Sequence, residues 1–444
     1  MDPENKIKKY ILEEGNPYWT KNEDLVGNLE LPANDNLISE CIIPPRMRFI
    51  QLPDWACDIG VDGKLAVPQE ALSKKDHINW KNTNWFFAAF WYLSGIPERL
   101  YENANRPIHS YSNHLKDWPE YLWEYAWCNR IFLFMRRWAA HKTGKDEETL
   151  YGPLPQPCIV LTHDVDAIQK TVPTKLKQTI FNGYNSFRMG CAFKWKESIR
   201  HARKVIQCFT KKEDYWCFDR IQQLESEMNV RSIFNFSGLR LDSKKNETLK
   251  CRLQSWLMDP LYDVNQKEIK KKIHELLNRG WQVGLHPSFD SWDKKDMIFD
   301  EKKNLEHVTK MEINACRQHW LRFSWEKTWQ AQETAGLKTD MTIGFNDRPG
   351  FRSSVALEYH PWNPNTDKKH RIKVIPTVLM DSHLYDYKPM ENAQREKEIA
   401  KWIGEIKKVG GTAAVIWHQR VFSPDYGWQQ GYEQLLSILS DVKT

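Results

Sequence analysis

From residue 158 onward, short runs of β-branched and aromatic residues alternate with stretches of helical spacing. The runs are CIVLT at 158–162, RSIFNF at 231–236, WQVGLH at 281–286, HWLRF at 319–323, MTIGF at 341–345, KVIPTVLM at 373–380 and AAVIWH at 413–418. Helical spacing covers 215–229, 266–279, 299–316, 325–335, 391–408 and 428–441. Strands that alternate with helices pair in parallel and carry the helices outside. Seven such α/β units favour a closed or nearly closed barrel over an open sheet. The Lys/Arg-bearing segment 167–214 interrupts the rhythm and reads as an insertion or an irregular helical excursion.

Residues 1–150 have another character. A turn-rich polar stretch precedes NWFFAAFWYLSGIPERL at 84–100, an apolar helix that breaks at SGIP. YLWEYAWCNRIFLFMRRWAAHKTG at 121–144 has helical spacing and ends at Gly144. YGPLPQP at 151–157 reads as a boundary. The expected organisation is a mainly helical, aromatic-rich accessory domain over 1–150 and an α/β domain over 155–444. The 21 tryptophans fit core filling, with some left to line a groove for sugar rings.

Bulk properties exclude several classes. A net charge of +6 from 64 basic and 58 acidic residues is mild, and no concentrated basic stripe argues for nucleic acid. Nine scattered cysteines without a CxxC argue against a disulfide framework or a zinc knuckle. The opening MDPENKIKKYILEEGNPYW lacks the apolar core of a secretory signal. No run approaches the about 18 apolar residues that a membrane span needs. The expectation is a cytoplasmic protein with no membrane span.

Polar residues gather where the strands end. CIVL leads directly into Thr162, His163, Asp164 and Asp166; VGLHPS delivers His286, PTVLMD delivers Asp381, and AVIWHQR delivers His418. In parallel barrels the carboxyl ends of strands carry the chemistry. Asp164 and Asp166 flank Val165 and share a face of an extended chain, so one can hold a metal while the other serves as a base. Asp166 and His286 supply two donors suited to a borderline divalent ion. Asp290 and His319 are both open as the third.

LTHDVD, GWQVGLHPS and AVIWH, in that order, resemble the polysaccharide deacetylase family, the chitooligosaccharide-deacetylase homology domain of carbohydrate esterase family four. The resemblance covers roughly 155–444. It implies a distorted (β/α)7 barrel that removes acetyl groups from N-acetylated (or O-acetylated) sugars with a bound divalent metal, most commonly zinc, in bacterial polysaccharide metabolism. Carried onto this chain, it makes Asp164 the general base, Asp166 and His286 metal ligands and His418 the proton donor. Arg317 orients the base, and Asp381 orients His418. The family's second histidine stands four residues after the first, where this chain has Asp290. His319 replaces a proline of the third motif. GFNDRPGFRSS at 344–354 lies outside the motifs; Asp347 and Arg352 there either bind a charged substrate group or brace a loop. Trp417, with Trp292 and Trp320, is a candidate to stack on sugar rings.

Three other readings compete: a catalytically silent sugar-binding protein of the same fold, a metal-free glycoside hydrolase using a carboxylate pair, and an assembly scaffold acting through residues 1–150. With no secretory signal, the expected substrate is a nucleotide- or lipid-linked sugar or a short oligosaccharide.

Overall fold

A computed structural model describes residues 3–32, 40–73, 77–191, 193, 195–210, 214–240 and 249–440; parts of the expected segments 1–150, 167–214, 428–441 and 155–444 lie outside these. Eight strands form one curled, half-barrel sheet. They are β1 (Cys158–Val165), β2 (Ile233–Phe236), β3 (Gln282–Leu285), β4 (Ala315–Cys316), β5 (Thr339–Asp340), β6 (Lys373–Val374), β7 (Thr377–Met380) and β8 (Thr412–Ile416), in the spatial order β6-β5-β4-β3-β2-β1-β8-β7. Helices intervene as the alternation predicts, for example Phe218–Glu227, Lys267–Asn278, Asn392–Lys408 and Gln429–Ser440.

The expected strands need correcting in three places. KVIPTVLM is two strands, because Pro376 offers no N–H to continue a ladder. HWLRF is not a strand: β4 ends before it, and His319–Leu321 forms a 3-10 turn with Trp320 at φ 59° and ψ 21°. MTIGF follows β5 rather than forming it. Gly344 lies there against the chain of β7; a Cβ at that position would come 2.8 Å from the Thr377 carbonyl oxygen.

The chain divides into two compact units. One comprises Met1–Leu161, Asp290–Phe299 and Ile313–Ile416; the other comprises Thr162–Phe289, Asp300–Glu312 and Trp417–Thr444.

In the first unit, helix Trp85–Leu93 is buried along all nine residues, as a helix that is apolar on every side must be. Asn84 caps it by accepting from Phe87 N–H at 2.9 Å. Gly95, at φ 61°, ends it at the expected break. Helix Trp127–Thr143 stops at Gly144, φ 66°. Residues of the amino-terminal 150 bond directly to later chain. Arg130 forks onto Glu405 through Nε at 2.7 Å and Nη2 at 2.5 Å, both side chains buried. Asn129 holds the Ala356 backbone at both its carbonyl, 2.6 Å, and its N–H, 2.9 Å. Tyr18 donates to the Val409 carbonyl at 2.8 Å. Trp19, Trp85, Trp127 and Trp329 are all below 2 % exposed, so core filling accounts for them.

Helix Asn392–Lys408 ends on Gly410 at φ 59°, with Gly411 N–H returning to the Ile406 carbonyl at 2.9 Å. This turn launches β8. A Cβ at Gly410 would also stand 2.5 Å from the Pro155 carbonyl oxygen. Gly410→Ala is therefore expected to destabilise the chain by about 1–2 kcal/mol from the left-handed backbone alone. A lowered melting temperature checks this, and an unchanged one refutes it.

In the second unit β1, β2 and β3 run parallel, with Asp164 beside Asn235 and Asn235 beside Gly284. The expected helical excursion after Asp166 is two regular helices, Val172–Cys191 and Trp195–Thr210, packed as a hairpin.

Candidate metal and catalytic site

The carboxyl ends of β1 and β3 and the turn after Trp417 bring polar groups together within the second unit. Successive side chains of an extended strand point to opposite faces. On β1 this separates His163 from Asp164. Asp164 is 3 % exposed, and Asn235, its register partner on β2, donates to Oδ1 at 2.8 Å. Two residues on, beyond the strand end, Asp166 meets three cationic or potentially cationic groups. His286 Nε2 lies 3.2 Å from Oδ1, and His418 Nε2 lies 3.6 Å from Oδ2. Arg420 Nη1 also donates to Oδ2. His286 is held by its own N–H, bonded to the Phe236 carbonyl at 2.8 Å.

These positions suit an ion. Two donors each about 2.1 Å from one cation, at tetrahedral to octahedral angles, stand about 3.0–3.4 Å apart. The Asp166–His286 separation of 3.2 Å falls in that interval. A carboxylate and an imidazole are also the donor types that zinc and its neighbours accept. Asp166 and His286 are thus two donors of a possible metal site.

His163 turns the other way and builds the support behind the site. Its Nδ1 faces the Trp417 carbonyl at 2.6 Å, and its Nε2 faces Glu225 Oε1 at 2.9 Å. Glu225 also accepts from Tyr432 at 2.5 Å, Trp281 at 2.5 Å and Ser232 at 2.9 Å. Burial works to raise the Glu225 carboxyl, but the bonds from His163, Tyr432 and Trp281 and the His163 charge outweigh it and hold the group below its ordinary range. By gripping the Trp417 carbonyl, this network sets the backbone immediately before His418.

The sequence gives no direct sign of Asn235, Glu225 or Arg420 as site residues. Arg420 stands two places after His418 in WHQR, and Asn235 interrupts an apolar strand in IFNF; both were readable as anomalies. Glu225 sits in the helical run LESE and has no such mark.

Apart from Trp417, the remaining expected residues lie in the first unit. Asp290 accepts from Arg322 Nη1 at 2.6 Å, so the cation on its carboxylate is an arginine. Arg322 lies over the Trp292 ring, 5.5 Å from its centroid. Arg317 is buried and donates to the Met341 carbonyl at 2.9 Å. His319 and Asp381 are buried.

Arg352, Asp347 and Trp417, expected as substrate contacts, meet protein groups. Arg352 is 3 % exposed and donates through Nη2 to Glu98 at 2.8 Å, with Nη1 on the His109 carbonyl. Asp347 accepts from Ser112 N–H at 3.0 Å, Ser112 Oγ at 2.9 Å and Asn113 N–H at 3.2 Å. Both brace loops, the second of the two roles their segment allowed. Trp417, in the second unit, is 1 % exposed and packs on Tyr432 at 5.5 Å between ring centroids. Its ring has no open face for a sugar.

No family model and no curated protein matches the chain. Solved structures do. One from Mycobacterium smegmatis, named as a polysaccharide deacetylase, matches at TM-score 0.37 and 14 % identity over 65 % of this chain and 85 % of its own. Another so named, from Pseudomonas aeruginosa PAO1, matches at TM-score 0.34 and 10 % identity over 65 % and 89 %. A CE4 family pseudoenzyme from Bacillus anthracis matches at TM-score 0.27 and 11 % identity; the match covers 65 % of this chain and 61 % of that one.

Proposed function

We propose that this chain is a metal-dependent hydrolase that removes N-acetyl or O-acetyl groups from a carbohydrate. The observation that carries the reading is the pair Asp166 and His286, 3.2 Å apart, two residues from the buried carboxylate of Asp164. A divalent ion held there, zinc by the chemistry of its donors, would polarise the acetyl carbonyl and acidify a water. Asp166 and His286 would hold it, with Asp290 and His319 both open as the third ligand.

Asp164 takes the proton from the attacking water. Its bond from Asn235 fixes the carboxylate. His418 gives a proton to the departing amine or alcohol. Its ring is oriented by the backbone that His163 and Glu225 anchor. Arg317 and Asp381 are proposed as further orienting groups for the base and the acid. Arg420 donates to Asp166 Oδ2 and places a positive charge beside it. Residues 1–150 are proposed as an accessory region. The substrate class proposed is a nucleotide- or lipid-linked sugar or a short oligosaccharide. A cytoplasmic location is proposed with it; among the described residues no helix is long and apolar enough to cross a membrane.

Acetate release from a panel of N- and O-acetylated sugars tests the activity, with the full chain supplied with zinc. Release from at least one member is expected, and it should fall in His418→Ala by about 10²–10⁴-fold. Release of reducing sugar without acetate would instead favour the glycoside hydrolase. One observation favours a second reading, the silent binder. The Arg420 guanidinium already lies on Asp166 and could neutralise it without a metal. A protein that binds acetylated sugar but releases no acetate, with or without zinc, would select that reading.

A further inference from the structure

We infer that the helical hairpin over 172–210 seats this protein on an anionic membrane surface. Where the two helices meet, Ser186 Oγ donates to the Ser198 carbonyl at 2.9 Å, and Ser198 Oγ donates to the Ser186 carbonyl at 2.8 Å. Among the described residues, large apolar side chains face outward. Val172, Ile180, Tyr184, Phe187, Phe193 and Trp195 are 61–81 % exposed. Large apolar groups clustered in water mark a surface that something covers.

Charge identifies the cover. Residues 172–210 carry eight Lys or Arg and one Glu, a net of seven positive charges. The whole chain has a net charge of +6, so everything outside the hairpin sums to about neutral. A second copy of the hairpin would bring a like charge against it, whereas anionic lipid complements it at about 1 kcal/mol per basic residue near the surface. The helices have 20 and 16 residues, about 30 and 24 Å in length. Neither is apolar enough to cross a bilayer. They therefore lie in the interface plane, apolar side down, with the aromatic rings near the hairpin tip at head-group depth, where Trp and Tyr are favoured.

The test is co-sedimentation of the full chain with vesicles of phosphatidylcholine alone and of phosphatidylcholine mixed with phosphatidylglycerol. Wild type should pellet with the mixed vesicles. Pellet partitioning should drop about tenfold or more on pure phosphatidylcholine, and likewise in the triple variant Phe187→Ser, Phe193→Ser, Trp195→Ser. Raised salt should weaken it. These side chains lie outside any core, so the melting temperature should not move. The inference is overturned if wild type stays in solution with the mixed vesicles, or if the triple variant pellets as wild type does. It is equally overturned if sedimentation velocity shows a dimer that the triple variant dissociates, which would assign the face to a second copy. None of these readouts depends on the hydrolase reading.

Discussion

Asp164→Asn should lower acetate release by about 10²–10⁴-fold while leaving metal content unchanged. Asparagine has nearly the shape of aspartate and can still accept from Asn235 through its carbonyl oxygen, a bond 2.8 Å long in the wild type. What it lacks is the capacity to take a proton from water. Substrate binding, read as KM, should change little, because the lost interaction is made in the transition state. Asn235→Ala should produce a smaller loss, since it frees the carboxylate to rotate without removing it. Single-turnover acetate release with the two variants side by side checks both. Equal rates in Asp164→Asn and wild type would remove Asp164 from the base role. Equal losses in metal and activity would make it a ligand instead.

Glu225→Ala should destabilise the chain by about 3–5 kcal/mol, the cost of leaving a buried charged partner alone. The carboxylate accepts from four groups, and the side chain has no solvent exposure. Removing it strands His163, Trp281, Ser232 and Tyr432 together. Glu225→Gln should fall between, because an amide oxygen can keep some of these bonds but carries no charge. The pH dependence has a definite sign. The folded-state carboxyl is held below its ordinary value of 4.5. Its stabilising contribution is therefore present above about pH 4.5 and is lost as acid carries the solution down through the depressed folded value. Thermal melts of wild type and Glu225→Gln should converge over that acid range and separate above it. Parallel curves at every pH would contradict the assignment.

Much of this architecture was legible because it rests on periodicity. A parallel strand followed by a helix leaves a strong signature, and within the eight-stranded sheet every strand of four or more residues lies where an apolar run predicts it; the antiparallel pair Met47–Gln51 and Lys64–Pro68 has no such run and goes unpredicted. The two-residue strands were not. Ala315–Cys316 and Thr339–Asp340 are too short to alternate, so the more apolar stretches after them, HWLRF and MTIGF, drew the assignment instead. The position of Asp166 beside His286 was legible because both follow buried strands and must emerge at the same end of a parallel sheet. Side-chain direction was less so. His163 belongs to the same THDVD motif, yet strand alternation sends it to the helix side, where its partner comes from a helix 62 positions later. Nothing in the local spacing announces such a pairing. Arg352 and Asp347 illustrate a different limit. A buried arginine bridging Glu98 and a carbonyl has the same sequence appearance as one poised for a substrate anion; only packing separates them. The segment 167–214 reads as an insertion or an irregular helical excursion; the structure makes it helical over Val172–Cys191 and Trp195–Thr210, with large apolar residues left exposed, so the usual link between apolar spacing and core does not hold there.

Metal stoichiometry bears most directly on the central claim. Full-length protein is stripped with chelator, dialysed against zinc, and measured by elemental mass spectrometry beside Asp166→Ala and His286→Ala. One zinc per wild-type chain, with substoichiometric metal in both variants, is the predicted result. A wild-type chain that takes up no zinc, or variants that retain a full equivalent, would contradict it.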